Sequence, residues 1–272
     1  MSAPLPLRAE LGRQLGRRRT RVAAALLLAL PLLLVGAFAL GDDDDGRGQA
    51  PSFVDLAQVG AANFTIFTLF ASTGFLLVVL FALFAGDAVP SEASWATLRY
   101  LLTAPVPRSR LLAVKLAVAL LTSLGALVLL VGWSLLVGLV AYGATGYRSP
   151  TGEQLTWGDL APRLLLVVAS LFVVLLFVSA LAFLVGVLTD APLGAVGAAV
   201  MVAIVSTILD SIDALGVVRE GLPTHRQFAW AGALQQEVAW GDIVTGGLWA
   251  VAYAVVLLGA AFALFSRKDV LS

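Results

Sequence analysis

The sequence predicts an all-α, polytopic membrane protein. It has six transmembrane helices, an N-terminal interfacial amphipathic helix, and a polar cytoplasmic segment between the second and third spans. Three observations carry this. Hydrophobic residues make up 60% of the 272-residue chain and charged ones 12%, with a mean hydropathy of +0.97, more apolar residue than a water-soluble core needs. Apolar runs long enough to cross hydrocarbon recur at 22–40, 64–85, 113–142, 164–188, 193–212 and 246–266. Of the 17 lysines and arginines, twelve lie before the first run, between the second and third, or after the sixth; Arg47, Arg148, Arg163, Arg219 and Arg226 lie in the other connections. That asymmetry puts both termini and residues 86–115 in the cytoplasm of a multi-pass plasma-membrane protein, organised as one domain over 1–272.

Within residues 1–21, Leu7, Leu11 and Leu15 recur every fourth position among Arg8, Arg13, Arg17, Arg18, Arg19 and Arg21. This is the pattern of a helix lying on an anionic lipid face. The run 22–40 is longer than the core of a secretory signal and leads into Gly41 and Asp42 to Asp45 rather than a small-residue cleavage site, so it reads as a retained span. Pro31 is tolerable there because neighbouring helices can satisfy the freed carbonyl. Asp42 to Asp45 lack the spaced ligands and turn glycine of a calcium loop and read as a solvated acidic loop facing outward.

The third run is the longest, so it tilts or projects beyond the bilayer, with Lys115 snorkelling at its basic end. The fourth and fifth are joined by the tight cytoplasmic turn Thr189-Asp190-Ala191-Pro192. In the fifth, Gly194 with Ala198, and Ala195 with Ala199 and Ala203, form rows of small residues that let helix backbones approach closely. Such rows serve either as a face for a second copy or as packing inside one bundle. The outer segment 213–245 carries Phe228, Trp230 and Trp240, placed to anchor a re-entrant or interfacial cap at headgroup level.

The segment 86–112 is the only long polar stretch with helix signals between two spans. Ser91 is an N-cap, Glu92 occupies the first turn, and a short helix over 91–103 sets Trp95, Leu98 and Leu102 on one face and Arg99 elsewhere. Pro105 and Pro107 end it, and Ser109 caps the next helix near Arg108, Arg110 and Lys115. Two readings stand: a helix that presents charge and apolar anchors to something outside the membrane, or an ordinary loop in the headgroups.

Gly86-Asp87, Glu92, the run Ala96-Thr97-Leu98-Arg99-Tyr100-Leu101-Leu102, Pro105, Arg108 to Leu112 and Lys115 resemble the segment after the second span of ABC-2 type permeases, the transmembrane subunits of ABC exporters. Ala96 stands where a glycine is common, a mild departure because alanine forms helix more readily. The resemblance implies a permease that forms a substrate path for export and works as a pair, as a homodimer or with a close relative. It makes 86–112 a cytoplasmic coupling segment that docks a separate ATPase subunit, through Glu92, Arg99 and Arg108 as polar contacts and Trp95, Leu98 and Leu102 as apolar ones. ATP and magnesium then belong to that partner, and this chain binds no cofactor.

What the sequence lacks fits this division of labour. A phosphate-cradling loop needs a lysine after a glycine, but Lys115 follows Val114 and Lys268 follows Arg267, so hydrolysis would belong to another polypeptide. There are no cysteines, and the single His225, even beside Glu220 or Glu237, is too little for a metal or protease site. Asp210 and Asp213, at the outer end of the fifth span, either stay hydrated or contact substrate. The spans are almost free of ionisable groups, which disfavours an ion-coupled secondary carrier. A membrane enzyme would need a polar cluster converging on Asp210, Asp213 or His225, and a non-transporting anchor would bind its partner without substrate-dependent hydrolysis. The formal charge of zero gives no field for nucleic acid; the surroundings are membrane lipids.

Overall fold

A chain of leucine, valine and alanine in lipid has only its own backbone to hydrogen-bond, so it forms helix. The computed structural model describes residues 7–41, 52–90, 107–150, 152–189 and 191–267. In order, the elements are α1 (Leu7–Gly16), α2 (Arg18–Leu40), α3 (Phe53–Ala57), α4 (Ala61–Thr73), α5 (Leu76–Gly86), α6 (Arg108–Tyr142), β1 (Tyr147–Arg148), β2 (Gln154–Leu155), α7 (Trp157–Thr189), α8 (Pro192–Asp210), two 3-10 segments (Asp213–Gly221 and Ala229–Leu234) and α9 (Trp240–Arg267). Helices α2, α6, α7, α8 and α9 are each long and apolar enough to cross a membrane, and α4 with α5 makes a sixth as a pair bent by 59°.

Helix α7 is the central column. It packs against α5, α8 and α9, while α6 takes α1, α2, α4 and α5 on its own faces. Leu160, Val167, Leu171, Ala182 and Phe183 of α7 are fully buried. Close approach depends on two glycines. A methyl group at Gly138 would lie 2.9 Å from the Ala61 Cα, and one at Gly186 would lie 2.9 Å from the Gly86 carbonyl oxygen.

Several expectations are corrected. The interfacial helix stops at Gly16; Arg17 is extended (ψ 141°), and Arg18, Arg19 and Arg21 lie in the first turn of α2. The uninterrupted span 64–85 is broken at Gly74–Phe75. Here Ser72 and Thr73 donate their hydroxyls to the carbonyls of Thr68 and Leu69, just before a glycine of low helix propensity, a combination that bends helices. Helix α6 begins at Arg108 with Pro107 as its N-cap, so Ser109 sits inside the first turn rather than capping it.

Trp230 is also not a headgroup anchor. It is 1% exposed and packs 4.5 Å from the Phe70 ring, whereas Trp240 remains exposed. Residues 143–156 hold a small antiparallel hairpin that the apolar pattern did not announce, pairing Tyr147 with Leu155 and Arg148 with Gln154. The buried Asn63 clamps it, donating to the Arg148 carbonyl at 2.7 Å and accepting from the Arg148 N–H at 2.8 Å.

The row Ala195, Ala199, Ala203 is used inside the chain. All three are buried on the side of α8 that packs against α7 and α5, which is the packing-inside-one-bundle reading of this row. Gly194 stays exposed and Ala198 half-buried. The run Asp42 to Asp45 and residues 91–106 lie outside the described residues.

Candidate functional site

Two buried charges flank the polar segment as its feet, Asp87 at the end of α5 and Lys115 two turns into α6; Ala88 to Pro90, Leu111 and Leu112 are buried with them. Both feet are buried, at 4% exposure each, and both are held by the corner between α1 and α2. That corner is closed locally: the Thr20 hydroxyl donates to the Gln14 carbonyl at 2.7 Å, across the turn at Arg17. The closure turns Glu10 toward α6 and aims Arg17 and Arg19 at the end of α5.

Asp87 is the C-cap of α5, where the helix dipole is unfavourable to a carboxylate. Arg19 Nη1 at 2.6 Å and Arg17 Nη1 at 3.1 Å reach its two oxygens. Burial pushes the Asp87 carboxyl up from its ordinary pKa, against the opposing pull of Arg19 and Arg17. Lys115 Nζ donates to Glu10 Oε1, and Arg13 Nη2 reaches Glu10 Oε2 at 2.6 Å. Burial is the largest single influence on Glu10 and raises it, yet Lys115 and Arg13 together outweigh burial and hold the carboxyl below its ordinary value.

Lys115 therefore does not snorkel. Its Nζ is buried against Glu10, the one acidic residue of α1. Leu7 and Leu15 are exposed on α1 and Leu11 is half-buried, while the polar Glu10 and Gln14 are turned inward. Among the expected docking residues, Arg108 donates to the Ser266 carbonyl at 3.3 Å, joining the base of α6 to the end of α9. Glu92, Trp95, Leu98, Arg99 and Leu102 lie outside the described residues. Glu10 was the residue missed by sequence reasoning. Its signal was visible as a lone carboxylate among arginines, four positions before Gln14.

A second polar cluster sits at the other end of α8. Asp210 contacts His225 Nδ1 and lies 3.6 Å from Arg219 Nε, while Arg219 also pairs with Asp213. Ser206 and Thr224 share a hydrogen bond of 2.6 Å, and the Tyr253 hydroxyl donates to the Gly221 carbonyl. These bonds lace residues 213–228 to α8 and α9. His225 thus pairs with Asp210 and not with Glu220 or Glu237, and among the described residues no group of three or more histidine, cysteine or acidic side chains could hold a metal ion.

Chemically, the cluster sets four cations, Arg13, Arg17, Arg19 and Lys115, around two carboxylates, Glu10 and Asp87, and ties two chain segments together. A family model described as "ABC-2 family transporter protein" matches residues 15–270, nearly the whole chain. Among curated proteins none matches it.

Proposed function

We propose, from the premise that this chain belongs to the ABC-2 family of transporter proteins, that it is the permease subunit of an exporter driven by separate ATPase subunits gripping residues 86–112. Two copies, or this chain and a close relative, would form the substrate path, with ATP and magnesium on the motor subunits. Both termini and the coupling segment would face the cytoplasm of the plasma membrane. The observation that carries this reading is the ionic anchoring of both feet of that segment, Asp87 by Arg17 and Arg19, and Lys115 by Glu10.

A lever works only if its ends do not slip. Motor closure pushing on Glu92, Trp95, Leu98, Arg99 and Leu102, with Arg108 at the base, would be passed through Asp87 to α5 and through Lys115 to α6. Because α5 also packs on α7 and α8, the push reaches the helices that would have to tilt between inward and outward access.

The test is the double variant Glu92→Gln/Arg99→Gln in cells expressing the motor subunit. Expected are lower recovery of the ATPase with the permease and loss of substrate-stimulated hydrolysis, at unchanged membrane insertion. Unaltered complex recovery together with unaltered transport refutes the assignment, as does labelling of a Trp95→Cys variant by an impermeant reagent from outside.

A further inference from the structure

At the end of the bundle where α4 begins, a cavity of about 840 Å³ opens between α3, α4, the hairpin and the second 3-10 segment. That is the size of a drug-like ligand site. One wall is aromatic: Phe53 and Phe70 line it, 5.3 Å apart and edge to face, and Phe70 is backed by Trp230 at 4.5 Å. Phe228 stacks on Phe70 at 5.7 Å, which fixes that ring further. The lining also carries two carboxylates, Glu153 and Glu237.

Among the described residues that line it there is no lysine or arginine. Two described arginines lie nearby, one of them bonded to backbone carbonyls of the cavity wall. Arg163 donates to the carbonyls of Ala233, Gln235 and Gln236, and Arg148 lines a separate cleft beside Thr145. Glu153 is held in position, accepting the Gln236 N–H at 3.1 Å, while Glu237 is exposed at the rim.

We infer that this cavity is a binding site for an organic cation with an aromatic or bulky apolar body. A cation gains from the aromatic lining by cation–π attraction and from the two carboxylates by charge. An anion would meet two like charges, and a neutral body would use the aromatic wall alone. The inference concerns this cavity only and stands apart from how the chain is driven, because the site lies at the opposite end from Asp87 and Lys115.

The experiment measures tetraphenylphosphonium binding to the purified full chain in detergent by equilibrium dialysis. Expected is a saturable component that weakens about tenfold in Glu153→Gln/Glu237→Gln and severalfold in Phe53→Leu. Glu237→Gln alone, at an exposed position that cannot upset folding, is expected to weaken it about threefold. Triphenylmethanol, of similar shape without the charge, is expected not to compete at equal concentration. Absence of a saturable component, wild-type binding by the Glu237→Gln and double variants, or equal competition by triphenylmethanol each overturns the inference. None of these results bears on ATPase docking, which the Glu92 and Arg99 variants test separately.

Discussion

Glu10 and Lys115 show how a residue in a membrane protein can carry charge without facing water. Each side chain is nearly inaccessible, so removing one leaves the other desolvated. Lys115→Met is expected to cost about 3 kcal/mol, the low end for a broken buried pair because Arg13 still faces Glu10. The double change Glu10→Leu/Lys115→Met should recover most of that. Thermal unfolding of the detergent-solubilised variants checks both, and equal losses in the single and double variants would show that the pair does not act as a unit. The pH response follows in sign. Glu10 titrates below its ordinary value when folded, so its contribution is complete at neutral pH and disappears as pH falls through the folded value. Asp87 is shifted up, so it works the other way, favouring the folded state as it gains a proton. The difference in melting temperature between wild type and Glu10→Gln isolates the first effect, and it should shrink between about pH 5 and pH 3.

At the level of elements, helix contact here is set by what is missing from the interfaces. Gly186 lets α7 press against the end of α5, directly above Asp87, and Gly138 lets α6 press against the start of α4. Gly186→Leu should force these elements apart and cost about 1–3 kcal/mol, the range of overpacked cores. If the proposed lever is right, it should also lower transport more than it lowers the amount of folded protein. Comparing the monodisperse fraction in gel filtration with transport per folded molecule separates the two effects; a proportional loss of both would mean the glycine serves packing alone. The break between α4 and α5 has a different origin, in hydroxyls that bond back to the preceding turn ahead of Gly74. It tilts the inner half-helix so that its end meets Arg17 and Arg19.

For the whole molecule, the arrangement is a central helix α7 packed by α5, α8 and α9, with a charged clamp at one end. The other end is closed by the cap of residues 213–239, tied through Asp210, Arg219, His225 and Tyr253. If the proposed lever is right, the drive must come from a partner subunit. Reconstituted alone in vesicles, the chain should show no ATP-dependent transport, and addition of the partner ATPase should create it. Transport by the chain alone on an ion gradient would instead support a secondary carrier.

The all-α, membrane-spanning class could be read from the sequence, because apolar run length answers directly to hydrocarbon thickness. Pairings across long stretches of chain could not. Glu10 with Lys115, Arg17 and Arg19 with Asp87, and Asp210 with His225 depend on which helix ends are brought together, and no local pattern encodes that. The alanine row of α8 was visible as a contact surface, but a stripe of small residues fits a helix of its own chain as well as one from another. Its burial against α7 and α5 was decided only when the bundle closed. The same holds for Trp230, whose side chain suits a headgroup boundary equally well until Phe70 takes it into the core.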